Sequence, residues 1–287
     1  MRSPPGISAL KKGPEMSRFA HLAVFAVFAT LLPSSALASE DHEDPRCEGT
    51  FNLLHPLPDF CLGVIDTDRP HQTDTPHVVP AGHVQFESAL AEVQLGGTVD
   101  NPAGDRRTHV VLLDDNYKVG LVSNVDVQLL FTHAAYEPAT RAFLPPGPLE
   151  LRAKFNIVKE HGWVPALTLV PWIFLPVAAS ESLRGGPLVF LGWELSPHFE
   201  LEVNVGALFG ATPKPPAAFV IASALTYTVV DHLGVFVDIY ATGPDVALGT
   251  GALWAFTRDM QVDLGTYVGV HGEEPVATPF LGFSIRR

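Results

Sequence analysis

From His83 to the last residue, apolar and polar positions alternate in segments of about ten residues separated by turn residues, the two-residue period of strands with one wet and one apolar face. The split is sharpest in Leu149 to Ile157, where Glu150, Arg152, Lys154 and Asn156 fall on one face against Leu149, Leu151, Ala153, Phe155 and Ile157. Asp126, Gln128 and Thr132 likewise oppose Val125, Val127, Leu129 and Phe131. Glu200, Glu202 and Asn204 oppose Leu201, Val203 and Val205, while Gln261 and Asp263 oppose Val262, Leu264 and Val268. The pattern predicts twelve strands, at 83–95, 108–121, 125–135, 149–158, 163–175, 188–195, 199–209, 217–229, 233–240, 246–256, 260–269 and 279–286. Trp163 to Val177 fits least well, because it carries Pro165, Pro171 and Pro176 and is apolar on both faces; a bulge or loop-in is expected at its end, Phe174-Leu175-Pro176.

The same letters build a soluble sandwich or barrel with its apolar face inside, or a membrane barrel with that face outside. Loop length separates the two. Connections are long at Gly96 to Arg107, Tyr136 to Pro148 and Pro176 to Pro187, and Gly210 to Pro216 is Pro-rich. They are short at Val122 to Asn124, Lys159 to Gly162, Ser196 to His198, Val230 to His232 and Thr257 to Asp259. The rhythm weakens at Ala241 to Asp245 and ends on a longer Val270 to Thr278. Long loops on one side and tight turns on the other are the pattern of outer-membrane barrels, and a soluble sandwich has no reason to segregate them. Aromatic residues near both strand ends suggest two girdles: Tyr117, Trp163, Trp193, Phe199, Tyr227 and Trp254 near the short turns, and Phe131, Tyr136, Trp172, Phe209 and Tyr240 near the long loops.

Ahead of the strands, Asp66 to Glu87 contains Pro70, Pro76 and Pro80, each of which fixes φ and removes a backbone donor, so the run is neither helix nor central strand. Within it stand Thr67-Asp68-Arg69-Pro70, then Thr75-Pro76, then Val79-Pro80 and Gly82, then Gln85 and Glu87. This succession resembles the opening of the outer-membrane family labelled as transporters of the meta-pathway of phenol degradation. The resemblance implies a β-barrel and a transport role, with aromatic solutes suggested by the family label alone. It makes Thr67, Asp68, Arg69, Pro70, Pro76, Pro80 and Gly82 the family motif.

Composition agrees with the barrel: 47% hydrophobic and 17% charged residues, with 24 Gly and 26 Pro as punctuation. Lys11, Lys12 and Arg18 precede an apolar run, Phe19 to Leu32, and Ala36-Leu37-Ala38 is a small-x-small cleavage site. Residues 1–38 are therefore expected to be a secretory signal peptide, with Met16 as an alternative start, followed by a periplasmic segment or plug at 39–82 and a barrel at 83–287. Without residues 1–38 the chain has 14 basic and 30 acidic residues, a charge of −16 that argues against nucleic acid as a partner. Cys47 and Cys61 have the spacing of a disulfide in an oxidising periplasm, with two unpaired thiols as the alternative, and a structural role is expected of them either way. Five histidines, His42, His55, His71, His77 and His83, cluster in the N-terminal segment, but their spacing matches no zinc pattern, and neither metal nor cofactor is expected.

A barrel hydrolase needs a Ser nucleophile beside an oriented His, and the chain has no G-x-S-x-G elbow. The polar faces instead nominate lumen-lining residues: Glu87, Asp114, Lys118, Asp126, Glu150, Arg152, Lys154, Glu200, Glu202, Asp238 and Asp263. Arg152 and Lys154 are expected either to pair with Glu200 and Glu202 across the interior or to form a constriction charge. The function expected is passage of small solutes across the bacterial outer membrane, with the lipid bilayer and the barrel-assembly machinery as further partners. The alternatives are a structural or adhesive barrel without flux and a barrel hydrolase. The terminal Phe283-Ser284-Ile285-Arg286-Arg287 lacks the final aromatic residue that the assembly machinery ordinarily reads.

Overall fold

A computed structural model describes residues 44–99, 108–144, 146–147, 149–176, 183–210 and 217–287; the expected signal peptide and its cleavage site lie outside them. Among the described residues the strands are β1 (Val84–Thr98), β2 (His109–Val122), β3 (Val125–Glu137), β4 (Ala142–Leu144), β5 (Leu149–Val158), β6 (Ala166–Leu175) and β7 (Arg184–Ser196). They continue with β8 (Phe199–Phe209), β9 (Ala217–Val230), β10 (Leu233–Thr242), β11 (Asp245–Thr257), β12 (Met260–His271) and β13 (Pro275–Arg286). Every long strand pairs antiparallel with its sequence neighbours, and β1 pairs with both β2 and β13, so the sheet closes on itself. The short β4 pairs only with the upper end of β3, leaving twelve staves. Closure removes sheet edges and satisfies the backbone within the wall, the condition for crossing hydrocarbon with strands.

The alternation sorts the two faces. On β10, Val235, Val237 and Ile239 are exposed outward while Phe236 and Asp238 are buried. Phe219, Ile221, Leu264, Val268 and Leu281 extend the outward apolar surface onto β9, β12 and β13. Inside are Gln85, Glu87, Lys118, Asp126, Gln128, Glu150, Lys154, Glu202, Asn204, Asp263 and Ser284, all buried. Apolar side chains exposed in such number, each worth about 1.5–3 kcal/mol when taken out of water, together with a polar interior, mark a wall that faces lipid.

The strand pattern read from sequence is reproduced, with four corrections. The segment that fitted least well does carry a regular stave, Ala166–Leu175, in which Pro171 stands directly opposite Pro187. Its missing donor faces β5, where the ladder skips from Arg152↔Trp172 to Phe155↔Leu169. The missing donor of Pro187 faces β8, where the ladder skips from Gly185↔Phe209 to Leu188↔Gly206. Second, the connection after β5 runs to Pro165 rather than Gly162 and contains a bridge between His161 and Val164. Third, the last two hairpins are tight at the long-loop mouth as well: Gly243, with φ +60°, and Pro244 join β10 to β11, and three residues join β12 to β13. Loop asymmetry therefore holds for the first eight staves and fades over the last four. Fourth, Trp172 and Tyr240 face the lumen rather than a girdle.

Candidate functional site

The lumen is crossed by residues 63–82, here called the strap. It starts at the short-turn mouth, where Ile65 N–H donates to Arg258 O at 2.7 Å and Arg286 Nη2 donates to Gly63 O at 2.7 Å. It rises to Pro70 to Asp74 halfway up the wall and returns to the same mouth, where Gly82 N–H donates to Gly120 O at 2.8 Å. The prolines that forbid helix and ladder keep it extended. Gly82 makes the turn into β1 with φ +81°, a conformation in which a Cβ would also meet Pro56 Cα at 2.6 Å. Gly192 leaves room where the strap crosses β7, since a Cβ there would lie 2.6 Å from Pro76 Cγ.

The centre of the strap is Asp68. Lys154 Nζ donates to one of its oxygens at 2.5 Å and Lys118 Nζ lies 2.6 Å from the other. Lys118 also reaches Glu87 at 2.5 Å, and Lys154 donates to Thr75 O at 2.7 Å. Burial by itself would raise the Asp68 carboxyl, but the two ammonium groups override it and hold the group below the ordinary carboxylate range. The strap backbone contributes as well: Val79 N–H donates to Asp126 at 2.9 Å and Asp68 N–H to Glu87 at 3.3 Å.

On the opposite wall the anchors are fewer. Arg69 Nη2 donates to Asp263 at 3.1 Å, Gln261 Nε2 to Thr67 Oγ1 at 2.8 Å, and Gln72 N–H to Asp238 at 2.8 Å. His71 Nε2 lies 3.1 Å from Glu202, and the Tyr267 hydroxyl donates to Pro70 O. Back on β5, beside Lys154, Arg152 is shared between Asp74, at 2.7 Å, and its strand neighbour Glu150.

Nine of the eleven lumen residues nominated from sequence thus hold the strap directly or through Arg152: Glu87, Lys118, Asp126, Glu150, Arg152, Lys154, Glu202, Asp238 and Asp263. Asp114, which accepts from Thr132 Oγ1 at 2.6 Å, lines the space above the strap, and Glu200 lines the space below it. The expected pairing of Arg152 and Lys154 with Glu200 and Glu202 is replaced by pairing with Asp74, Glu150 and Asp68, because the strap lies between the two walls. Of the motif, Thr67, Asp68, Arg69 and Pro70 are anchors, and Pro76 O accepts from Asn156 Nδ2 at 3.3 Å. Pro80 and Gly82 form the bend into β1. Cys47 and Cys61 are bonded to each other below the mouth.

The strap divides the lumen into two chambers that meet at Arg69 and His71. The chamber toward the short turns is about 340 Å³ and holds Glu200, Glu202, Thr226 and Thr228. The chamber toward the long loops is about 510 Å³, and one wall is aromatic: Trp172, Phe174, Phe190, Tyr240 and Tyr267. Sequence reasoning missed this wall, although a signal was present. Tyr240 is two residues from Asp238, and Tyr267 four from Asp263, so alternation alone puts each ring on the same face as its carboxylate.

One polar cluster faces outward. Phe283, Ser88, Asp115 and Phe131 occupy one row across β13, β1, β2 and β3, on the face opposite Glu87 and Lys118. Ser88 Oγ donates to Asp115 at 2.5 Å, Tyr117 OH donates to it at 3.0 Å, and His133 Nε2 lies 2.9 Å from it. The carboxylate stands between the serine and the histidine, so the serine has no base in contact, and the order required for nucleophilic hydrolysis is not met.

A closed twelve-stave wall with an apolar outside and a polar, strap-filled inside is a membrane β-barrel of the outer-membrane fold class. The chain belongs to the family described as "Putative MetA-pathway of phenol degradation", whose model matches residues 67–286. Among solved structures, the COG4313 outer membrane channel from Pseudomonas putida F1 is similar, at 11% identity and a TM-score of 0.51 over 76% of this chain and 99% of that one. The KdgM porin shares 9% identity with a TM-score of 0.44 over 71% of this chain and 98% of that one. The CymD monoaromatic hydrocarbon channel shares 10% identity with a TM-score of 0.36 over 71% and 87%. At these identities the likeness is one of fold. No curated protein matches the chain.

Proposed function

We propose that this protein is a passive channel of the bacterial outer membrane for small, largely apolar or aromatic compounds, gated by its own strap. In this reading a cleaved signal peptide exports the chain, the barrel-assembly machinery inserts it, and the long loops face outward. The observation that carries it is the aromatic chamber of about 510 Å³ on the long-loop side of the strap, whose floor is the strap itself. That size suits one small molecule, and ring-lined walls favour solutes that carry an aromatic or apolar face over sugars and inorganic ions. The strap, held by ion pairs rather than covalently, supplies a closed resting state. Passage through such a lumen uses only hydrogen-bonded walls and side-chain contacts, and no catalytic step is proposed.

Liposome swelling with a graded series of small solutes tests this, comparing the native protein with an Asp68→Asn, Arg69→Gln variant whose strap is loosened. Faster, size-dependent swelling in the variant supports a gated channel. Absence of flux in both, with the barrel folded, would leave a structural or adhesive barrel.

A further inference from the structure

The chamber above the strap is polarised in a way that its aromatic lining does not require. On β6 and β7, Arg184 projects into it with its guanidinium carbon 4.6 Å from the centroid of Phe174, and Phe174 meets Trp172 edge to face at 4.9 Å. Arg184 and Phe174 are register partners, so the cation, the ring and the indole form one patch. Among the described residues Arg184 has no ion-pair or hydrogen-bond partner, unlike Arg69 and Arg152, which are committed to the strap and its neighbours. The indole Nε1 of Trp172 is a buried donor without an acceptor. Two donors of like kind, one charged, thus go unanswered in the apolar corner that Leu188 and Phe190 complete.

We infer that this patch is a binding site for aromatic carboxylates. A guanidinium stacked on a ring keeps its N–H edge free, and that edge matches a carboxylate. The ring of the ligand then lies against Phe174, Phe190 and Leu188, and Trp172 supplies the second donor. The chamber also carries carboxylates. Glu150 and Asp74 are already bonded to Arg152. Glu92 and Asp114 stand on β1 and β2, at least three strand spacings along the wall from β6. Three spacings of about 4.8 Å are about 14 Å, beyond the screening length of about 8 Å at physiological salt. Direct contact with Arg184 therefore outweighs repulsion from that wall, which instead suits a hydrogen-bond donor at the far end of the ligand.

The inference rests on reading the upper chamber as the entrance of the channel, but it is tested by binding rather than by flux. Titration calorimetry on the folded, detergent-solubilised full chain uses sodium benzoate, benzyl alcohol and benzylamine as probes. Benzoate is expected to bind tightest. Arg184→Gln should weaken benzoate about tenfold or more and leave benzyl alcohol unchanged. Trp172→Phe, which keeps a ring but removes the N–H, should weaken benzoate by a few fold with the same selectivity. Heat-modifiable gel mobility shows that each variant is folded. Equal benzoate affinity in native protein and Arg184→Gln, or benzylamine binding tighter than benzoate, overturns the inference; either result leaves the swelling test of the channel unaffected.

Discussion

Asp68 and Lys154 are 86 residues apart in the chain and 2.5 Å apart in the lumen, with neither side chain reaching solvent. The contact ties a loop that precedes the barrel to the face of β5, and Lys118 closes the same carboxylate from β2. Breaking one partner of a buried pair costs about 3–5 kcal/mol, because the survivor stays buried and unpaired. Asp68→Asn is therefore expected to loosen the strap without unfolding the wall. Single-channel conductance in planar bilayers should rise at least about twofold on the scale of such a loss, while the boiled and unboiled gel bands stay separate.

The same carboxylate sets a pH dependence. Its native value is depressed, so its contribution is complete above the unfolded aspartate value of about 3.9 and is lost as pH falls through the lower native value. The Asp68-dependent part of channel closure should stay level from pH 7 down to about pH 4 and fall only below that. Recordings across this range on native protein and Asp68→Asn would show it as an acid step missing from the variant; a step centred near neutrality in both would contradict it.

Outside the wall, Asp115 depends on Ser88, Tyr117 and His133 for its hydrogen bonds. A carboxylate on a lipid-facing row is tolerable only while it is satisfied. His133→Ala is expected to destabilise the barrel by about 1.5–3 kcal/mol, the worth of one hydrogen bond to a charged group, since Ser88 and Tyr117 still reach the carboxylate. Asp115→Leu in the same background should recover much of this. The temperature at which the compact gel band converts to the extended one measures both. A fluorophosphonate probe should leave Ser88 unlabelled, since Asp115 and not His133 is its partner.

The bond between Cys47 and Cys61 closes a loop of sequence separation 14 below the barrel. Loops of about 15 residues lose about 3 kcal/mol of chain-entropy stabilisation when opened. Because none of the staves includes either cysteine, a Cys47→Ser, Cys61→Ser variant should keep the native heat-modifiability and gain a protease-sensitive site between residues 47 and 61.

The period-2 pattern made the wall legible: the spans 149–158 and 199–209 coincide with β5 and β8, and the buried polar face appeared where alternation put it. Alternation is a property of neighbouring residues, which is why it survives without tertiary knowledge. The path of the strap is not local. Nothing near Asp68 in the sequence says that its partners are Lys118 and Lys154, so motif and lumen residues were recognised separately and their union was not. Trp172 was misplaced for another reason: β6 is apolar on both faces, and an unbroken apolar run carries no phase. Pro171 escaped because a proline is tolerated where its missing donor falls at a gap that the partner strand shares, a condition visible only in the pairing.

Both limbs of the strap leave by the short-turn mouth, near Arg258 on one side and Gly120 on the other. An insert of that form behaves as a cork rather than a thread: it withdraws from below without any chain end passing through the barrel. Force applied at that mouth only has to break its contacts one after another, whereas withdrawal through the long-loop mouth would have to drag the chain on either side of it through the lumen. The molecule thus has a built-in polarity, with release available only toward the short-turn side.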